Sequence, residues 1–475
     1  MVSLEGGHFD VIVVGAGPVG LLTAINLASR GVKLAVLERG NGIDQSPRAT
    51  SYQPCVMAEM EETGILQDVK KKAMINNILS FWKGSGPQKE QVAYVEKLEG
   101  GDIFPAALNC GQPVLTGIIL DHLLTRYNSQ VFFAQKVEEL SQSESTVTVV
   151  CSPPDDGPKT TYTCSWLVGA DGAGSSVRKL LGIEFEGFSW PKEHFVATNL
   201  RYPFQKHGFT TANFVMDDVN WAVVTVIDDT GLWRCAFGVR AGLTNEQIRA
   251  ELDEHYKHIL PGWPGEGYEL VQLNRYKPHQ RCATQFRKER CFLAGDAAHV
   301  ISKLNFPGGM NANYYQSNNP IGGLGLTTGL LDAGPLGRAL AAVINGKAPE
   351  SILDVWAQSR RHTWKTFTNE FSIENKRMIQ LGGYSEDPLG IWKLDEVSKE
   401  HGIDPWIEKL ATPDKEADLA MYKALEDKEA QLSTRMKQWN ITMDPLWMAQ
   451  YEDPEVIKLR LSLRPQGTKG SIPAE

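Results

Sequence analysis

Short apolar runs that end in glycine set the pattern of this chain. Val11-Ile12-Val13-Val14 runs into Gly15, Trp166-Leu167-Val168 into Gly169, and Cys291-Phe292-Leu293-Ala294 into Gly295. The first, Phe9–Val14, is apolar and β-branched without polar alternation, as a buried parallel strand is. The pattern then predicts a helix over Leu21–Arg30 that Gly31 ends, and a second strand over Val32–Leu37 that closes on Glu38. Val147, Val149 and Cys151 alternate with polar residues, Pro153–Pro158 turns the chain, and Thr161–Val168 returns, so Lys136–Asp171 reads as a β-meander. Further on, Trp221–Ile227 and Trp233–Arg240 are strand-like. Leu243–His258 is helical in pattern, with Thr244 and Asn245 as candidate N-caps. Another helix is expected over Ile118–Tyr127 and a long amphipathic one over Glu350–Gly382. The tail from Tyr384 is charged, and Gly467–Glu475 is expected to be disordered.

Composition narrows the class without naming a function. At 475 residues the chain is long for one core, so more than one domain is expected. A net charge of -9 carries no basic footprint and argues against a nucleic-acid partner. The seven cysteines are scattered, odd in number and form no C-x-x-C pair. That argues against a disulfide framework or a metal site and for a reducing, cytoplasmic setting. No uninterrupted apolar stretch reaches the roughly 18 residues of a membrane span.

The chemistry is concentrated just after the three runs. Gly15-Ala16-Gly17-Pro18-Val19-Gly20 opens the first helix: Gly15 allows a tight turn, Gly17 lets backbone approach a pyrophosphate, and Gly20 lets helix pack on strand. The helix N-terminus attracts phosphate. Glu38 stands about 20 residues on, where a carboxylate accepts hydrogen bonds from a ribose diol, and Arg39 is next to it. The second run delivers Asp171-Gly172, then Ser175-Ser176-Val177-Arg178. The third delivers Gly295-Asp296-Ala297-Ala298-His299, and a helix is expected to begin within Pro320–Gly329.

In this order the three motifs resemble the single-component, FAD-dependent aromatic hydroxylases, the flavoprotein monooxygenases of the para-hydroxybenzoate hydroxylase-like fold. The wording of the third motif is most like that of fungal secondary-metabolite tailoring members. The resemblance implies an α/β fold: a Rossmann-like FAD-binding domain (1–72, 100–183 and 282–345), a substrate domain with a mixed sheet (73–99 and 184–281), and a C-terminal helical segment (346–475). It implies FAD contacts from Gly15, Gly17, Pro18, Gly20, Glu38, Arg39, Arg48, Gln112, Asp171, Gly172, Gly295, Asp296, Pro320, Gly323, Gly325 and Leu326. Asp296 would bind the ribityl chain, and the helix N-terminus after Gly323 would face the flavin. This sequence departs from the family at Gly174, where arginine is common, and at Thr327, where asparagine is usual. Aromatic and histidine residues Tyr202, Phe204, His207, Phe209, Phe214, Trp221 and Trp233 are candidates for a flat substrate pocket or for core packing. No residue stands out as a catalytic base.

The implied function is NAD(P)H-consuming hydroxylation or epoxidation of an aromatic or polyketide-like molecule by O₂ through a flavin C4a-hydroperoxide. Two alternatives stand beside it. One is an FAD oxidase or dehydrogenase without oxygen insertion. The other is an inactive flavoprotein, because Val300–Gln316 interrupts the third motif. Without that segment His299 would run straight into Ser317-Asn318-Asn319-Pro320-Ile321-Gly322-Gly323, a closer family match. A retained intron, a genuine loop and a lid over the flavin all account for it. A homodimer is the assembly the family suggests.

Overall fold

The computed structural model describes residues 4–46, 48–96, 106–153, 157–189, 193–276, 279–300 and 323–369, with helical positions 372, 375, 376 and 379. Its larger sheet orders strands Arg287–Lys288, Cys291–Leu293, Thr160–Gly169, Leu4–Val14, Leu34–Leu37 and Gln130–Phe132. The three glycine-ended runs lie side by side and parallel. Val14 lies opposite both Gly169 and Leu37, and Gly169 lies opposite Leu293. The strands therefore stop on one line, and the loops after them emerge along one edge. Ligands bind at this carboxyl edge in open parallel sheets.

The strand ends that meet this edge are apolar because both faces are covered there. Val11, Ile12 and Val13 are fully buried, and so are Ala35, Val36 and Leu37. Helix Pro18–Ala28 packs between this sheet and helix Leu324–Ile344. The approach is close enough that a Cβ on Gly337 would lie 2.5 Å from Asn26 Cβ. The meander is as expected: Lys136–Gln142 pairs antiparallel with Val147–Ser152, which pairs antiparallel with Thr160–Gly169.

The second sheet runs Glu269–Tyr276, Glu193–Arg201, Leu232–Arg240, Ala222–Val226, Ala212–Met216, Ile78–Lys83 and Glu90–Glu96. One face carries Val196, Val224, Cys235 and Phe237 against Ile248, Leu252 and Tyr256 of helix Asn245–Ile259. That helix starts where the sequence placed it, because Thr244 and Gln247 form a capping box. The opposite face of the sheet looks back toward the larger sheet's carboxyl edge.

Three helices differ from expectation: the one predicted over Leu21–Arg30 runs from Pro18 to Ala28, with Pro18 in its first turn. The helix predicted over Ile118–Tyr127 begins earlier, at Gln112, since Pro113 is preorganised for a first turn. The helix expected over Glu350–Gly382 is regular over Ser351–Thr363, then widens to a π-helical turn at Trp364–Thr368 before the last described positions. Among the described residues no helix is long and apolar enough to cross a membrane.

Candidate functional site

A cavity of about 530 Å³ lies between the carboxyl edge of the larger sheet and the face of the smaller one. This size is ordinary for a site that takes an organic ligand. Gly15, Gly17, Pro18, Glu38, Arg39, Arg48, Gln112, Asp171, Gly172, Asp296, Gly323, Gly325 and Leu326 all line it. Gly20 and Gly295 do not. Their glycines serve packing: a Cβ on Gly20 would collide with the Gly15 carbonyl oxygen, and one on Gly295 would meet Val19 at 2.9 Å. Pro320 and the segment Val300–Gln316, Val300 excepted, lie outside the described residues. Val300 pairs with Arg281 at the edge of a small sheet.

The loop after the first strand is shaped for a ligand rather than for packing. Gly15 has φ +110°, and a side chain there would strike the Ala170 carbonyl. Nothing lies within 4 Å of a Cβ built on Gly17, which borders the cavity. Glu38 holds the loop in shape: Ala16 N–H donates to one carboxylate oxygen at 2.8 Å and Gly40 N–H to the other at 2.8 Å. Each oxygen keeps a lone pair for a second donor, so the ribose role expected of Glu38 is compatible with its structural one. Arg39 is exposed at the rim.

Three carboxylates near the cavity have three different environments. Asp171 lines the cavity, yet its oxygens accept from Ser175 Oγ at 2.5 Å, Ser176 N–H at 2.6 Å and Val177 N–H at 3.2 Å. It organises the start of the short helix Ser176–Leu180 and thereby sets the turn at Gly172, whose φ is +79°. Burial raises its pKa above the ordinary range, with those hydrogen bonds opposing. Asp296 also lines the cavity, and no hydrogen bond occupies its carboxylate among the described residues. Burial raises its pKa, and the nearby charges of Arg48 and His299 oppose the rise. A half-buried carboxylate that faces the cavity without a protein donor is placed to accept from sugar hydroxyls.

Asp332 is the third, and no sequence motif singles it out. It is fully buried, and it accepts from His299 Nε2 at 2.6 Å, Arg360 Nε at 2.7 Å and Gly295 N–H at 3.0 Å. Burial pushes its pKa up, but His299 and Arg360 outweigh that and hold it below the ordinary value. This cluster ties the loop carrying Asp296 to helices Leu324–Ile344 and Ser351–Thr363. Its members lie far apart in sequence, and only His299 and Gly295 sit inside a recognisable motif.

Opposite Asp296, Arg48 bonds to Asp44 at 2.7 Å. Burial raises the pKa of Asp44, but Arg48 and the Ser46 hydrogen bonds prevail and lower it. Gln112 opens its helix, with its N–H on Ala49 O at 3.0 Å. At Gly323 the chain turns with φ +64° into helix Leu324–Ile344. The first N–H groups of a helix have no intrahelical acceptor, and here Gly325 and Leu326 border the cavity. Thr327 Oγ1 donates back to Gly323 O at 2.8 Å. Its hydroxyl is thus spent on the turn, and only backbone remains to meet a ligand there.

The cavity's far wall comes from the smaller sheet: Ala197, Val223, Thr225, Arg234 and Ala236. The aromatic candidates are not part of it. Tyr202, Phe204, Phe209 and Trp233 belong to the second core, Phe214 stacks on Phe81 at 5.2 Å, Trp221 packs edge-on to Phe195, and His207 meets Glu266 at 3.0 Å. The reason for Trp233 is the period of two: it shares a face with Cys235 and Phe237, while Arg234 and Ala236 face the other way.

An open glycine loop on a helix N-terminus, an acid at the second strand end, an unspent carboxylate and a second helix N-terminus across the cavity fit FAD. An FAD-binding domain model matches residues 8–313 and 315–370. The chain is 38% identical over 407 residues to the para-nitrophenol 4-monooxygenase of Pseudomonas sp. (strain WBC-3), covering 85% of this chain and 93% of that one. It is 34% identical over 401 residues to 6-hydroxy-3-succinoylpyridine 3-monooxygenase of Pseudomonas putida (strain DSM 28022 / S16), covering 84% and 95%. The crystal structure of p-nitrophenol 4-monooxygenase from Pseudomonas putida DLL-E4 superposes with a TM-score of 0.71 at 34% identity, over 90% of this chain and 98% of that one. The chain belongs to the FAD-dependent aromatic hydroxylases, the flavoprotein monooxygenases that draw their electrons from NAD(P)H.

Proposed function

We propose that the protein hydroxylates a single-ring phenol or hydroxypyridine at a substituted carbon para to the ring hydroxyl. The observation that carries this reading is one cavity with two unlike walls: loops and helix ends fitted to FAD on one side, and a flat wall of Ala197, Val223 and Ala236 on the other. Small side chains on a sheet leave room for a planar ring beside the cofactor. The names of the two bacterial relatives supply the regiochemistry. Position 4 of para-nitrophenol and position 3 of 6-hydroxy-3-succinoylpyridine both lie para to a hydroxyl and both carry a substituent.

FAD, when bound, supplies hydride acceptance from NAD(P)H and activation of O₂. The chain's own residues divide the remaining work. Glu38 and the Gly15–Gly20 loop hold the adenosine diphosphate end, Asp296 the ribityl chain, and the N-terminus of Leu324–Ile344 the flavin's electron-rich edge. Arg48, Gln112 and the Asp171-Gly172 turn complete the cradle. The sheet wall closes the cavity on the substrate side, and exclusion of water there would limit side reactions. The domain division at 1–72, 100–183 and 282–345 against 73–99 and 184–281, and assembly as a homodimer, are proposed on the family resemblance; light scattering reads the second. A role in fungal secondary metabolism rests only on the wording of the third motif, whereas both of these relatives are bacterial. The single ring is therefore the substrate proposed.

The test couples three measurements on the purified chain. The expected results are a flavin absorption spectrum, NAD(P)H oxidation stimulated by para-nitrophenol, and label from ¹⁸O₂ in the organic product. Flavin with peroxide but no labelled product would establish the oxidase. A folded, colourless protein that does not take up added FAD would establish the inactive flavoprotein.

A further inference from the structure

The sheet wall of the cavity is built in two rows. Cross-strand partners share a face, and Thr225 lies opposite Arg234, Arg234 opposite Asn199, and Asn199 opposite Gln272. Two residues along, Val223 lies opposite Ala236, and Ala236 opposite Ala197. From Val223 to Ala197 the second row is apolar and small, and beyond Val223 it continues through Phe214 to Phe81. The first is a polar chain: Asn199 Nδ2 donates to Gln272 Oε1 at 2.8 Å, and Arg234 Nε donates to Asn199 Oδ1 at 2.7 Å. Arg234 also donates to the Arg48 carbonyl at 2.6 Å, which fixes the guanidinium across the boundary between the two sheets.

Thr225 ends the polar part of this row, with Ala212 opposite it on the next strand, and its hydroxyl is the exception. The residue is 7% exposed, it lines the cavity, and Oγ1 has no hydrogen-bond partner among the described residues. The intervening residues Val224 and Val226 point into the opposite core, so the Thr225 side chain is on the cavity face. A buried hydroxyl without a partner is unfavourable, and a ligand that supplies one is favoured by the same amount.

We propose that Thr225 is a substrate-anchoring residue: its hydroxyl donates to the ring oxygen of a phenol, beside the Arg234 guanidinium, while the ring lies on Val223, Ala236 and Ala197. This rests on the phenol reading. An oxygen placed there accepts from Oγ1 and feels a fixed positive charge, which favours the phenolate over the neutral phenol. A phenolate is the more electron-rich ring, so the anchor selects the form that an electrophilic oxygen attacks. The polar row also sets the ring's orientation, since an ether oxygen in the same place is uncharged and brings a methyl group into the contact.

The experiment measures binding to the oxidised holoenzyme through perturbation of the flavin spectrum, using para-nitrophenol and its methyl ether, para-nitroanisole. Thr225→Val keeps shape and removes the hydroxyl; Thr225→Ser keeps the hydroxyl. Wild type is expected to prefer the phenol, and Thr225→Val to lose about tenfold in affinity for it with little change for the ether. Thr225→Ser restores the preference. FAD content and melting temperature, measured on each variant, identify any general damage. If wild type prefers the phenol and FAD-saturated Thr225→Val prefers it equally, the anchor is overturned and the phenol reading stands. If wild type binds both alike, the phenol reading is overturned and the anchor falls with it.

Discussion

The two walls of the cavity are made of different materials. The cofactor wall is mostly backbone: turns at Gly15, Gly172 and Gly323, helix ends at Pro18 and Leu324, and two carboxylates, Glu38 and Asp171, whose first task is to hold loop and turn. The substrate wall is all side chain, two rows on one face of a sheet. A backbone wall binds whatever carries phosphate and hydroxyl groups in the right order, and it tolerates few changes because each glycine is there for space or for φ. A side-chain wall changes specificity one residue at a time without disturbing the strands beneath it. One fold can thus keep FAD and exchange substrates.

The largest expected effect lies behind the cofactor wall. Asp332→Asn leaves buried His299 and Arg360 without their carboxylate and is expected to cost about 3–5 kcal/mol of stability, read by denaturant unfolding. A small effect there would mean that the cofactor wall is not held from behind. The same residue gives a pH signature. Its folded pKa is depressed, so its contribution is complete above the ordinary carboxylate range and is lost as pH falls through the folded value. Wild type should lose stability in acid more steeply than Asp332→Asn does.

Two glycines of the same loop sharpen the contrast between packing and binding. Gly20→Ala drives a methyl onto the Gly15 carbonyl and is expected to cost about 1–3 kcal/mol of stability. Gly17→Ala has open space and φ -76°, so the apoprotein should fold as well as wild type. Its FAD affinity should nonetheless fall by roughly tenfold, about 1.4 kcal/mol, on fluorescence titration. Equal behaviour of the two variants would remove the distinction between packing and ligand glycines.

Smaller still is Glu38→Gln. The amide oxygen can replace only one of the two acceptors that hold Ala16 and Gly40. A loss of about 1 kcal/mol in FAD binding is expected, with substrate preference unchanged. A change in substrate preference would mean that the two walls are not independent.

Much of the cofactor wall was legible in the sequence because it is local. A strand, a turn and a helix start occupy consecutive residues, and the glycine spacing records the turn itself. Asp296 and Glu38 could be placed from where the strands end. Asp171 was found for the same reason, although its carboxylate proved to be spent on Ser175, Ser176 and Val177. The substrate wall was not legible in this way. Arg234 is the one charge inside an apolar strand that ends at Arg240, and its alternation with Trp233 and Cys235 could have placed it opposite the core.

By itself, then, the sequence determined the elements, the order of the three motifs and the family they imply, since each is written in neighbours along the chain. Which strands stand side by side was a tertiary decision. Strand register put Thr225 opposite Arg234, helix packing brought Asp332 to His299 and Arg360, and Tyr202, Phe204, Phe209 and Trp233 became core. The physical reason is that a sheet's face depends on register, and register depends on how both faces of every strand find cover.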